Sequence, residues 1–307
     1  MMPTFDVLVA GEINPDLILS GDVEPSFGQV EKLVDSAELT IGSSSAIFAC
    51  AAARLGLKVA FIGKCGEDVF GRFMLDEMQK RMVDVGNVII VQGGTTGLSV
   101  IMNRGADRAI LTYLGLISKL QAEDITENLL RQSRHLHVAS YFLQGSLQPG
   151  LPGLFQRARS LGVTTSLDTN FDPTVKWQGF DDLLEVTNVF LPNEAEACSL
   201  ARTESVDAAA DILSGRVETL AVKLGARGAL GVTEHQKTRA PSIPVEVVDT
   251  VGAGDSFDAG FIYGYLQNWP IEKTLHAAVI CGALSTRAAG GTAGQATLPE
   301  VLSLLRE

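Results

Sequence analysis

The 307-residue sequence predicts an α/β fold, in which a mainly parallel, Rossmann-like sheet has helices on both faces and a small β-sheet beside it. Three observations predict it. Short, nearly continuous apolar runs recur along the chain, as expected of strands buried on both faces. Segments of helical period separate most of them. Two stretches, 16–42 and 95–115, break this rhythm with two-residue alternation and turn residues but no helix.

FDVLVAG (5–11) reads as the first strand, and SSAIFACAAARLG (44–56) as a helix of small residues closed by Gly56. VAFIG (59–63) is a buried strand and FGRFMLDEMQKRM (70–82) a helix. NVIIV (87–91), HLHVAS (135–140), VTTSLD (163–168), TNVFLP (187–192) and TLAVKLG (219–225) continue the strand series. TTGLSVIMNRGADRAILTYLG (95–115) reads as a hairpin turning at NRGAD. With DLILSGDVEPSFGQVEKLVDSAELTIG (16–42) it supplies about four antiparallel strands, forming either a lid over a cleft or a plain edge extension. The division that follows gives 1–10, 43–92 and 116–307 to the α/β domain and 11–42 and 93–115 to the small sheet.

Composition narrows the function. Hydrophobic residues make up 46% of the chain and charged residues 20%, so it builds a core and is not disordered. A net charge of -12 argues against a nucleic-acid backbone as partner. MMPTFDVLVAGE lacks a basic leader region, and no run reaches the ~18 apolar residues of a membrane span. Cys50, Cys65, Cys198 and Cys281 lie far apart and form no CxxC pair, which points to buried thiols and a reducing, cytoplasmic location. His135 and His137 alternate on one strand face and read as structural.

The segment with the most chemistry is VVDTVGAGDSFDAGFIYGYL (247–266). A glycine-rich turn that opens a helix leaves N–H groups unpaired at the positive dipole end, which makes an anion site. Asp255 falls in the first helical turn. It reads either as an acid that complements the dipole or as a base beside bound phosphate, taking the proton of an attacking hydroxyl. Phe257, Phe261 and Tyr265 recur every four residues as a buried stripe, while Gly260 and Gly264 permit close packing. The stretch matches neither GxxxxGK[ST] nor GxGxxG. Near the N-terminus, Asn14 and Asp16 alternate toward one face, where amide and carboxylate suit sugar hydroxyls or, alternatively, serve a turn at Pro15. Asn193 and Glu196 sit one turn apart, which also suits a helix cap.

DTVGAGDSFDAGF resembles the C-terminal signature of the ribokinase-like (PfkB) carbohydrate kinases. In the same family order stand GEINPD (11–16), IGSSSAIFACAAARLG (41–56), GKCGEDVFG (63–71), DTNFDP (168–173), NEAE (193–196) and VKLGARGA (222–229). The resemblance implies a sugar kinase with ATP as donor and Mg²⁺ as cofactor. It implies that Asp255 is the general base and that Gly252, Ala253 and Gly254 form an anion hole. The nucleotide then lies on Lys223, Gly225, Gly228, Thr250, Gly252 and Gly254, with Val279 and Cys281 at the adenine. Asn193 and Glu196 help hold Mg²⁺, partly through water, and the sugar meets Asn14, Asp16, Gly42 and Ser43. A K⁺ site is implied near Asp249 and the AAGGTAG loop (288–294), and the small sheet becomes a lid that also pairs two molecules into a homodimer.

Departures from the family pattern leave the substrate open. Ile47 stands where a hydroxyl-binding Asn is common, and Asp172 replaces the frequent Arg after DxN. Arg104 and Arg108, on the proposed hairpin, are candidates to reach the cleft in its stead. A nucleoside kinase of the same superfamily is the nearest rival, with Phe27, Phe48 and Tyr141 as stacking candidates. A non-catalytic sugar- or nucleotide-binding regulator is the rival of another class, opposed by the intact GAGD and NEAE motifs.

Overall fold

The computed structural model describes residues 3–104 and 107–306. Along the chain run β1 (Phe5–Ala10), β2 (Pro15–Ser20), β3 (Ser36–Ile41), α1 (Ser44–Arg54), β4 (Val59–Ile62), β5 (Lys64–Gly66), α2 (Val69–Lys80), β6 (Val83–Asp84), β7 (Ile89–Val91), β8 (Leu98–Arg104) and β9 (Asp107–Tyr113). There follow α3 (Glu127–Arg131), β10 (Ser133–Val138), α4 (Leu151–Ser160), β11 (Thr164–Leu167), α5 (Asp181–Leu184), β12 (Val189–Phe190), α6 (Glu194–Ala201), α7 (Val206–Ser214) and β13 (Thr219–Lys223). The chain closes with β14 (Ala229–Thr233), β15 (Gln236–Ala240), α8 (Ala253–Leu266), α9 (Ile271–Ser285) and α10 (Leu298–Leu304).

The large sheet has the order β15-β14-β13-β12-β11-β10-β1-β4-β6. It is parallel from β13 to β6, and β14 and β15 extend it as an antiparallel edge. The pattern of near-continuous apolar strands is explained by β1. Val7 and Val9 enter one core, with Phe48, Phe61, Phe257 and Phe261. Leu8 and Ala10 enter the other, with Leu136, Phe155 and Phe190. Each such side chain, removed from water, contributes roughly 1.5–3 kcal/mol to the drive for burial. Gly260 and Gly264 let α8 lie against α9, since a Cβ there would stand 2.7 Å from Cys281 Sγ or 2.9 Å from Thr274 Oγ1. His135 and His137 are buried and both reach Ser166 Oγ at 2.7 Å, a structural use.

The second sheet, β3-β2-β8-β9, comes from the two segments without helical period. One detail differs from the sequence expectation: β2 pairs with β8 in parallel, and only the outer pairings are antiparallel. The two excursions leave the main body in the same direction, so their first strands run side by side. The turn expected at NRGAD centres on residues outside the described ones. NVIIV also differs, because β7 pairs with β5 in a separate two-stranded sheet rather than joining the main one. The GKCGEDVFG signature is structural here: Asp68 caps α2 through Gly71 N and also accepts from Thr96 N, which ties the start of α2 to the chain entering β8.

Candidate active site

In an open α/β sheet, ligands collect beyond the carboxyl ends of the strands, where the strand order reverses. Here that reversal is at β1, with β4 on one side and β10 on the other. The residues just past these ends converge: Glu12 and Asn14 after β1, Ser140 after β10, Asp168 and Asn170 after β11, Asn193 after β12, and Lys223 closing β13. They line a cavity of about 480 Å³ whose other wall is Ile101, Arg108, Ile110 and Thr112 of the small sheet. A second cavity of about 610 Å³ lies between the β13–β15 edge and α8–α9. Its wall includes Gly228, Ile243, Val245, Phe257 and Val279. Lys223, Gly225, Thr250 and Gly254 line both cavities, so the two meet at the start of α8.

The local backbone explains that meeting point. Gly252 precedes α8 with φ 72°, and a Cβ there would fall 2.8 Å from the Gly291 carbonyl. Only glycine adopts this turn without strain. Behind it, no side chain caps α8, so the first N–H groups of the helix face the seam. Asp255 lines the first cavity from that first turn and is only 9% exposed. Burial pushes its carboxyl well above the usual range, Asp168 adds to this and Lys223 opposes it. Asp168, Asp255 and Asp258 bring carboxylate oxygens within 4.8 Å of one another. The cation among them is Lys223, whose Nζ lies 3.0 Å from Asp168 Oδ2 and 3.1 Å from both oxygens of Asp258.

At the far end, Asn14 Nδ2 donates to Ser99 Oγ at 3.3 Å and to Asp16 Oδ1 at 3.4 Å. Burial raises the Asp16 carboxyl to about 7, against the pull of Arg108 across the cleft. Ser43 Oγ, Ser45 N, Ser45 Oγ and Ser140 Oγ all donate to the Glu12 carboxylate. Asn170 Nδ2 donates to both Ser44 and Ser140. Asn193 and Glu196 form a reciprocal cap at α6, with Asn193 Nδ2 also donating to Glu196 Oε1 at 2.6 Å. Burial, then Asp168, raises Glu196 to about 7.

Several expected positions fall elsewhere. Gly42 lines neither cavity; a Cβ there would stand 2.1 Å from Asp16 Oδ1, so its bareness admits that carboxylate. Asp249 also lines neither, and accepts from Val251 N and Gly290 N, tying its loop to 288–294. Cys281 faces Gly260 in the α8–α9 contact rather than the cavity that Val279 lines. Arg104 turns outward to Glu24 at 3.0 Å, while Arg108 lines the cleft. Asp172 is spent on its own loop, accepting from Thr174, Lys176 and Trp177 backbone N–H groups. Of the stacking candidates, Phe27 is 98% exposed, Phe48 packs on His137 at 3.6 Å and Tyr141 joins Phe142 and Phe180; none lines the cleft. Sequence reasoning assigned no role to Glu12, Ser140, Asp168, Asn170 or Asp258. Signals were present for most of them: Asp168 and Asn170 stand in DTNFDP, Glu12 stands in GEINPD, and Asp258 lies three residues after Asp255 and so on the same face of α8.

The pfkB family carbohydrate kinase model matches residues 4–298. The chain belongs to the pfkB family of carbohydrate kinases. It is therefore a phosphotransferase with an alcohol group as acceptor and a sugar as substrate. The kinase is 31% identical over 225 residues to an uncharacterized sugar kinase of Archaeoglobus fulgidus, covering 72% of this chain and 88% of that one. It is 30% identical over 305 residues to the ATP-dependent ribose-1-phosphate kinase of Halopiger xanaduensis, covering 98% of each. Among solved structures, a putative ribokinase II from E. coli in complex with ATP and Mg²⁺ superposes with a TM-score of 0.87 at 23% identity, covering 98% of the kinase and 99% of that chain. The ribokinase-like fold expected from the sequence motifs is the fold found.

Proposed function

We propose that the kinase transfers the γ-phosphate of ATP to a hydroxyl of a small sugar, with Asp255 as general base. The observation that carries this reading is the place of Asp255: a buried carboxylate in the uncapped first turn of α8, at the seam of two cavities. The larger, mostly apolar cavity suits adenine against Val279, with phosphates reaching the seam past Gly225 and Gly228. The smaller suits the sugar, with Asn14, Asp16 and Ser43 as hydroxyl partners and Arg108 on the opposite wall. The N–H groups at Gly252, Ala253 and Gly254 then face the moving phosphoryl group, and Thr250 borders both ligands. Asp255 takes the proton from the attacking oxygen. Because burial raises its proton affinity, it is a stronger base than an exposed carboxylate once ionised. The small sheet acts as a lid that excludes water from the transfer.

Mg²⁺ fits the oxygen-rich corner of Asn193 and Glu196, both on the cleft wall. A cation there relieves the repulsion that Asp168 exerts on Glu196. When bound, the metal neutralises phosphate charge. K⁺ suits the carbonyls of the 288–294 loop, which Asp249 shapes through Gly290 N. The outer side of the small sheet and its loop expose Phe27, Leu33, Leu111 and Tyr113, which suits a homodimer. Free cysteines, three of them buried, suit a reducing cytoplasm.

The test is coupled ADP release over ribose, fructose, fructose phosphates, 2-keto-3-deoxygluconate and nucleosides, for wild type and Asp255→Asn. Sugar-dependent ADP release lost in the variant is expected. Near wild-type turnover in a folded Asp255→Asn would end the assignment.

A further inference from the structure

Asp258 lies one turn beyond Asp255 on α8, is 1% exposed and lines neither cavity. A carboxylate buried in a helix–sheet junction is costly unless it is paired and hydrogen-bonded. Asparagine or an apolar residue would avoid that cost, so the fold alone does not call for an acid. Asp258 touches Lys223 and Asp168: both its oxygens are 3.1 Å from Nζ, Asp168 Oδ2 is 3.0 Å from the same nitrogen, and the two acids share a side-chain hydrogen bond. Lys223 in turn lines both cavities, and its ammonium lies 3.6 Å from where a Cβ on Gly254 would stand. That is the first turn of α8.

We infer that Asp258 is a positioning residue, which together with Asp168 pins the Lys223 ammonium at the seam between the cavities, where Lys223 meets the phosphoryl group in transit. The inference rests on the kinase reading of the site. A lysine on a flexible four-carbon stem is a point charge that needs holding. One acid leaves it free to swing, whereas two acids on different elements, α8 and the end of β11, fix it. The charge is also needed there. Asp255 faces carboxylates from three directions, namely Asp168, Glu12 and its own-helix neighbour Asp258, with Lys223 as the cation that offsets them. Phosphates entering the seam add further negative charge, and a fixed ammonium opposes that repulsion without reorganising at the moment of transfer.

The experiment compares wild type, Asp258→Asn, Lys223→Met and the double variant in steady-state ADP release, with both KM values and thermal melting measured. Lys223→Met lowers kcat roughly 10²–10³-fold, the effect of losing one preorganised charge on the transition state. Asp258→Asn lowers kcat roughly tenfold to a hundredfold by misplacing it, with the sugar KM and melting temperature little changed. In the Lys223→Met background, Asp258→Asn has no further effect on kcat. Equal losses from Asp258→Asn in both backgrounds overturn the inference, as does an unchanged kcat in the single variant. Should Lys223→Met not fold, the kcat of Asp258→Asn decides alone. Wild type that releases no ADP with any sugar instead sinks the kinase reading, which keeps the two failures apart.

Discussion

The two halves of the cleft are built by opposite means. The larger cavity is walled by Ile243, Val245, Val247, Phe257 and Val279, with glycines at its mouth. The smaller one carries Glu12, Asp16, Asp168, Glu196 and Asp255, several of them held by hydroxyl and amide donors. An apolar wall recognises shape and tolerates exchange of one aliphatic residue for another. A wall of buried carboxylates discriminates by hydrogen bond and charge, and each group left unpaired costs free energy. On the proposed assignment of the two cavities, the difference teaches that the nucleotide side is permissive and the sugar side exacting.

Four changes break or sharpen this contrast, in falling order of expected effect. Asp255→Asn lowers kcat by roughly 10²–10⁴-fold, the usual share of a general base. Its melting temperature at pH 7 holds or rises: the raised carboxyl disfavours the native state as pH climbs, and the amide removes that penalty. Gly228→Ala puts a Cβ 1.9 Å from the Ala240 carbonyl at φ 86°. It destabilises the fold by about 1–3 kcal/mol and raises the ATP KM, as chemical denaturation and initial rates would register. Next comes pH. Asp16 stands at about 7 in the native protein, so acidification protonates it and removes a hydroxyl acceptor. The sugar KM rises by up to roughly tenfold per pH unit below neutrality, and Asp16→Asn flattens that slope. Glu196, also raised to about 7, loosens its hold on Mg²⁺ over the same range, so Asp16→Asn separates the two: it flattens the sugar KM and leaves the pH trend of the ATP KM in place. Smallest for catalysis is Leu111→Glu, on the exposed side of β9 while Ile110 faces the cleft. It breaks the proposed homodimer, read as a shift of sedimentation to monomer against wild type, and leaves kcat within about twofold.

The same contrast governs what the sequence could tell. Asn14, Asp16, Asn193, Glu196 and Asp255 were singled out because their spacing leaves side chains on one face and their motifs resemble the family's, and all five line the smaller cavity. The apolar half announced little: Ile243, Val245 and Val247 alternate as a strand would, yet form none, and Cys281, placed at the adenine by the resemblance, turns into the α8–α9 contact instead. The roles of Glu12 and Ser140 were hidden for another reason. Their partners, Ser43, Ser45 and Asn170, come together only through tertiary structure. For the fold, periodicity located most strands and missed β5, β6 and the antiparallel edge of β14 and β15. It gave no sense of direction, so the parallel pairing of β2 with β8 and the removal of β7 from the main sheet came only with the structure.

Because Lys223, Gly225, Thr250 and Gly254 belong to both chambers, no partition stands between donor and acceptor. One molecule bearing a flat greasy head, a short anionic bridge and a polyol tail would fit the kinase along its whole length. Such a hybrid gains affinity by linking two weak grips into one, and it offers a route to selective inhibition that begins from the architecture instead of from any known substrate.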